Sequence, residues 1–316
     1  MALHRLTHIV MGVPNVEETA AYYTEFGLIP TVIDVASNVG HGTPEARTFA
    51  TVDGGEQLTI VHSPRRRLVR LGVGVDDPDD IERIARQLGH LDLSLGADGS
   101  VTDPGTRVRV RVEVAGRLVR ESAPAPVYNG PGRHERVDAR ADGVLREAPV
   151  RPRKLGHVVV GSTDQEASNR FFTEGLGFKT SDEVPGLAAF LRCSTDHHNV
   201  LVQHAPVPFL HHTSWEVDDV DEIGRGAHHM LEGHPERHIW GLGRHHIGSN
   251  FFWYLKDPAG NFSEYYSDLD CIVDDALWKP EVFTDTRALY SWGPPVPPSF
   301  IEPEDLAALM ADAHVS

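Results

Sequence analysis

Residues 155–174 read LGHVVVGSTDQEASNRFFTE, and residues 6–25, LTHIVMGVPNVEETAAYYTE, align with them without a gap. Each begins as a short apolar strand, passes through a polar turn and continues as a helix. Asn15 and Thr163 or Asp164 stand where N-caps belong, and Glu17, Glu18 and Glu166 fill first turns, where the helix dipole favours acids. Tyr22-Tyr23 and Phe171-Phe172 supply a buried face, and the glycines of FGL and GLGF end the helices. A strand-helix unit that occurs twice is an internal repeat, and it decides the architecture.

A second repeat pairs RLGVGVDDPDDI from Arg70 with HTSWEVDDVDEI from His212, again in the order strand, acidic turn, helix. Each of the four units is followed by β-rich sequence: ARTFATVDGGEQLTIVH, GSVTDPGTRVRVRVEV, LAAFLRCSTDHHNVLVQHA and SNFFWYLKDPAGNFSEYYS. These runs alternate in polarity and favour β-branched and aromatic residues. The pattern predicts an α+β protein of two domains, each made of two βαβββ modules. Residues 1–120 form the first domain. Residues 121–153, rich in Pro, Gly, Ala and Arg, read as a linker, residues 154–275 as the second domain, and residues 276–316 as a tail that packs on the second half or closes over a pocket.

The 316 residues are 40% hydrophobic and 24% charged, as in ordinary globular chains. A formal charge of −17 argues against nucleic acid or an anionic membrane as partner. No apolar run reaches the roughly 18 residues of a membrane span, and the N-terminus lacks a signal-peptide core, so the expected location is the cytoplasm. Cys193 and Cys271 are expected to be free thiols.

Nineteen histidines are the compositional anomaly, and eight of them form doublets at 197/198, 211/212, 228/229 and 245/246. In the strand HTSWEV, alternation puts His212, Ser214 and Glu216 on one face and Thr213, Trp215 and Val217 on the other with His211. The apolar set belongs against a helix, so His212 is expected to point into a cavity and His211 away from it. The same logic turns His157 inward in GHVVVG and sets Glu264 on one face of NFSEYY with Phe262 and Tyr266. Two neutral imidazoles and a carboxylate on rigid strands match the facial set that leaves open positions on non-haem Fe(II). In the first half, His8 aligns with His157, Arg70 with His212 and Val110 with Glu264. A cation and an apolar residue cannot replace these ligands, so one metal site is expected, in the second half only. His228-His229, on a helix, reads as solvated.

At KLGHVVVGS, FLRCSTDHHNV, FLHHTSWEVDDVDEIG and GRHHIGSNFFWYLKDPAGNFSEYY the chain resembles the type I extradiol, or meta-cleaving, catecholic dioxygenases of the vicinal oxygen chelate superfamily. The resemblance covers nearly the whole chain, with its motifs in residues 154–270. It implies His157, His212 and Glu264 as ligands of Fe(II), with Mn(II) as the other candidate. It further implies His198 as an acid/base beside the oxygen site, with His197 as a competitor. His245, with His246 as its competitor, and Tyr254 are implied to hydrogen-bond the substrate. The implied reaction inserts both atoms of O2 into a catecholic substrate and gives a muconic semialdehyde-type product; a homo-oligomer is implied as well. Two rival readings share the fold: a non-catalytic ligand-binding or resistance protein, and a glyoxalase-like metal isomerase. Neither needs His198, His245 and Tyr254 arranged around the metal. Trp215 and Phe190 are expected in the core.

Overall fold

The computed structural model describes residues 3–31, 46–284 and 289–313, without the side chains of the last three. The first module runs β1 (Leu3–Val13), α1 (Val16–Glu25), β2 (Ile29–Thr31), β3 (Arg47–Thr51) and β4 (Gly55–His62). The second has β5 (Arg67–Val75), α2 (Pro78–Gly89), β6 (Ser100–Thr102) and β7 (Arg109–Val114). A one-turn helix, α3 (Asp142–Leu145), interrupts a mostly exposed connection. The third module is β8 (Lys154–Ser162), α4 (Gln165–Arg170), β9 (Lys179–Val184), β10 (Ala188–Arg192) and β11 (Val200–His204). The fourth is β12 (Phe209–Glu216), α5 (Val220–Leu231), β13 (His238–Arg244), β14 (Phe251–Lys256) and β15 (Phe262–Ser267), followed by α6 (Pro298–Ile301) and α7 (Leu306–Ala313) in the tail. The second module departs from the repeat. Its helix is followed by two strands rather than three, because residues 91–99 form no strand.

Two sheets result, ordered β2-β3-β4-β1-β5-β7-β6 and β13-β14-β15-β12-β8-β11-β10-β9. The central strands of each, β1 with β5 and β8 with β12, are antiparallel. Their outer neighbours, β4, β7, β11 and β15, join in parallel. Every residue of β8 is buried, as a strand covered on both faces requires.

Helix entry follows the expected chemistry at three of four modules. Asp77, Asp164 and Asp219 accept from Asp80 N, Ala167 N and Glu222 N. Asn15 does not cap with its side chain; its amide instead donates to Pro258 O across the two halves (3.0 Å). The helix of the third module, α4, widens into a π-helical turn at Phe171–Leu176. There Gly175 lies so close to α2 that a Cβ would stand 2.9 Å from Leu88 Cδ2.

The core does not divide between the sheets. One continuous cluster of buried residues joins Leu6, Tyr22, Phe26 and Val73 with Leu155, Phe172, Trp215 and Tyr265. The α1 helix carries this junction: Phe26 stacks on Tyr265 at 3.9 Å, the Tyr265 hydroxyl donates to Phe26 O (2.6 Å), and Tyr22 bonds Ser263 (2.5 Å).

Strand register corrects one detail of the repeat alignment. The turn after Asp103 is one residue longer than that after Asp257, so Arg109 pairs with Arg70 as Phe262 pairs with His212. Glu264 therefore matches Arg111, not Val110. The conclusion for the first half is unchanged, since a guanidinium is no ligand. That half has an ion-pair network instead. Glu113 accepts from Thr7 (2.6 Å) and lies 3.3 Å from His8 Nδ1 and 3.4 Å from Arg111 Nε. The hydrogen bond from His8 outweighs the opposing effect of burial and draws the Glu113 carboxyl down to about 2.

Candidate metal centre and active site

His157 on β8, His212 on β12 and Glu264 on β15 converge, with one ligand atom from each within 4.8 Å of the others. Glu264 Oε2 lies 3.2 Å from His157 Nε2 and 3.7 Å from His212 Nε2. All three are buried. The sheet explains the meeting: Ser214 is the ladder partner of both His157 and Glu264, and His212 stands two residues along the same strand. Gly156 clears room beside His157, because a Cβ there would meet the Tyr266 hydroxyl at 2.0 Å.

The donor set fits a divalent first-row metal. Bonds of about 2.0–2.2 Å place facial ligand atoms roughly 3 Å apart. His212 Nε2 and His157 Nδ1 are buried without a hydrogen-bond partner. Burial opposes ionisation of Glu264, but the His157 ring, His245 and the Ser214 hydroxyl outweigh it and hold the carboxyl below its ordinary range. Burial drives His212 well below the usual imidazole value, so its ring is neutral and able to ligate.

The remaining nominated residues surround this cluster. The His198 ring lies 4.2 Å from that of His157, and burial, followed by the neighbouring His157, depresses its pKa strongly. His245 Nε2 is 2.8 Å from the Tyr254 hydroxyl and 3.8 Å from Glu264 Oε1. Burial raises Tyr254 well above its ordinary value, so it is a protonated phenol at neutral pH. His246 is exposed, its ring 5.5 Å from Phe283. His228 and His229 are exposed on α5.

His211 does not point away. It is buried, lines the same cavity as His212, and its Nδ1 is 2.8 Å from His212 Nδ1. The ladder with β8 shifts register between Leu210 and His212, which leaves His211 as the extra residue of a β-bulge. A bulge interrupts strict alternation, so both rings of the doublet turn to one side. Trp215 and Phe190 are both buried in core clusters as expected, Trp215 in the main one and Phe190 in a smaller one with Ile247 and Phe283, and Phe190 also lines the cavity.

Four contributors escaped the sequence reading. Ser214 and Asn250 donate to the two oxygens of Glu264 (2.6 and 3.2 Å). Ser214 was within reach, sharing a strand face with His212; nothing local marks Asn250. Asp182 and Phe300, from β9 and the tail, hold the leading histidines of two doublets.

The cavity over the cluster has a volume of about 730 Å³. Histidines and Tyr254 line it together with apolar residues: Phe300 packs on His212 and Tyr254, Phe190 lies 5.2 Å from the His198 ring, and Val184, Leu201, Ile247 and Phe283 complete the apolar wall. Among the described residues no Lys, Arg, Asp or Glu lines it.

Residues 154–265 match the family model of the glyoxalase/bleomycin resistance protein/dioxygenase superfamily. The chain is 30% identical over 315 residues to metapyrocatechase 2 of Cupriavidus necator, covering 95% of this chain and 92% of that protein. Its fold is similar to that of the Mn(II)-bound glyoxalase from Novosphingobium aromaticivorans, with a TM-score of 0.71, 24% identity and coverage of 95% and 94% of the two chains. Homoprotocatechuate 2,3-dioxygenase from Arthrobacter globiformis is similar as well, with a TM-score of 0.70, 18% identity and coverage of 94% and 90%. With its buried two-histidine, one-carboxylate cluster and a sequence relationship that runs through both halves, the chain belongs to the extradiol ring-cleaving dioxygenases of this superfamily.

Proposed function

We propose that His157, His212 and Glu264 hold Fe(II), with Mn(II) able to occupy the same ligands, and that the enzyme cleaves a neutral catechol bearing a bulky apolar substituent. The observation that carries the reading is the convergence of three buried ligand atoms within 4.8 Å beside a cavity of about 730 Å³ with an apolar wall. Fe(II) supplies open positions for the adjacent substrate oxygens and for O2, and a path for electrons between them. The protein residues do the rest. Tyr254 and His245 orient the substrate oxygens through hydrogen bonds, and His198 holds and moves the proton required at the oxygen-derived end. Burial holds His198 in the neutral form, which leaves one ring nitrogen with a free lone pair beside the site.

The cavity exceeds what a bare catechol ring fills, since pockets of about 300–1,000 Å³ enclose drug-sized ligands. A second ring or a branched alkyl group would bury its surface against Phe190, Ile247 and Phe283. A substrate carboxylate would be desolvated there with no cation among the described lining residues to pair it. Residues 1–120 and 154–275 act as the two domains joined by 121–153, and the tail, residues 276–316, as the cover of the cavity. The enzyme works as a cytoplasmic homo-oligomer.

The test is anaerobic loading with Fe(II) or Mn(II), followed by aerobic assay of O2 uptake and yellow product on catechol, apolar 3- and 4-substituted catechols and carboxylated catechols. A rise in kcat/KM of tenfold or more from catechol to the apolar substrates is expected. A preference for carboxylated catechols would sink the substrate assignment.

A further inference from the structure

We propose that His211 and His197, the leading histidines of two doublets, are positioning residues, each passing a fixed tautomer to the histidine behind it. The proposal rests on the reading of His212 as ligand and His198 as acid/base, and concerns how each is kept in its working form.

The first relay starts in the tail. Phe300 O can only accept, so His211 Nε2 at 2.6 Å carries the hydrogen. With its one hydrogen committed on Nε2, the His211 ring presents the Nδ1 lone pair to His212 Nδ1 at 2.8 Å and takes the hydrogen of that atom. The lone pair of His212 is thereby placed on Nε2, the atom that faces Glu264 and has no other partner.

The second relay has the same form with a different anchor. Asp182 Oδ2 accepts from His197 Nε2 (2.8 Å), which leaves His197 Nδ1 to accept from His198 Nδ1 at 3.0 Å. His198 then carries its lone pair on Nε2. The tail takes part here too: Glu281 N donates to Asp182 Oδ1 (2.7 Å), and the Trp278 ring lies 5.3 Å from that of His197. A third tail group acts directly, since Leu289 O at 2.6 Å requires hydrogen on His245 Nδ1, so that Nε2 accepts from the Tyr254 hydroxyl. The tail thus covers the cavity and also dictates which ring nitrogens are protonated beneath it.

Asp182→Asn tests the second relay with little change of shape. Because Glu281 N still needs an acceptor, the new amide oxygen stays on that side and its NH2 faces His197, which reverses both tautomers. Expected are unchanged Mn(II) affinity and unchanged anaerobic catechol binding. The kcat should fall tenfold or more, and in ¹⁵N-resolved spectra of the metal-free protein His198 should change from the Nδ1–H to the Nε2–H pattern while His197 changes the opposite way. Asp182→Glu, which keeps an acceptor, should recover part of kcat. For the first relay, His211→Phe should weaken Mn(II) binding about 10–100-fold, and His211→Gln, whose amide oxygen can accept from His212, should restore part of it. Wild-type kcat with unchanged tautomers in Asp182→Asn, or wild-type Mn(II) affinity in His211→Phe, overturns the proposal. Full kcat in His198→Gln alongside a tautomer change in Asp182→Asn overturns instead the role given to His198, and leaves the relay standing.

Discussion

At the scale of the residue, the ligand set and its surroundings separate cleanly by experiment. His212→Ala removes one of the three proposed metal ligands and leaves only His157 and Glu264 of the set; bound metal and turnover should both be lost. Metal analysis showing stoichiometric metal with normal turnover would refute the assignment. His198→Gln, by contrast, should retain the metal and slow kcat by about 100-fold or more, the scale of a lost acid/base. In the silent half, Glu113 offers a test of electrostatics without catalysis. Its folded pKa of about 2 lies below the ordinary carboxylate value because of His8, with burial opposing. A depressed carboxylate stabilises the fold above the unfolded-state pKa, and that contribution fades as pH falls toward the folded value. Glu113→Gln should therefore cost about 1 kcal/mol at pH 7, a figure discounted for partial exposure, with the difference from wild type vanishing near pH 2. Urea titrations at the two pH values measure it.

At the scale of the element, most of the pattern was legible along the chain, and the exceptions have identifiable causes. Strand and helix positions follow from alternation and caps. Asp219 illustrates the agreement: it caps α5 through Glu222 N (3.0 Å) and also receives Arg146 from the connection between the halves (2.6 Å). Asp219→Ala should destabilise by about 1–2 kcal/mol, a cap plus a partly buried ion pair, as a shift in denaturant midpoint at constant slope. The failures lie where pairing departs from regularity. A bulge at His211 defeats the period-2 rule, and a longer turn after Asp103 moves the counterpart of Glu264 by one position. Residues 91–99 carry apolar alternation in LDLSL yet pair with no strand, which shortens the second module.

At the scale of the whole molecule, the two sheets are bound by helices whose buried faces they share. Phe26 and Tyr22 belong to the first half in sequence but pack on Tyr265 and Ser263, one residue to either side of the metal-binding carboxylate. The halves should therefore unfold together, with one transition by near-ultraviolet circular dichroism and by activity. Phe26→Ala should cost about 3–5 kcal/mol and lower the stability of the catalytic half along with its own. Separate transitions for the two halves would show that the shared core contributes little.

By itself the sequence determined the repeat, the fold class and the three residues, His157, His212 and Glu264, that converge in the second half as a candidate metal site. These depend on strand alternation and on residue types that few other chemistries require. Only the tertiary structure decided that His211 turns to the same side as His212, which apolar residues line the cavity, and which acceptors reach the ring nitrogens of His211, His197 and His245. The physical reason is distance along the chain. A ring nitrogen's hydrogen is set by whichever acceptor the fold delivers, and Phe300 O reaches His211 from 89 residues away, with no local signal at either end.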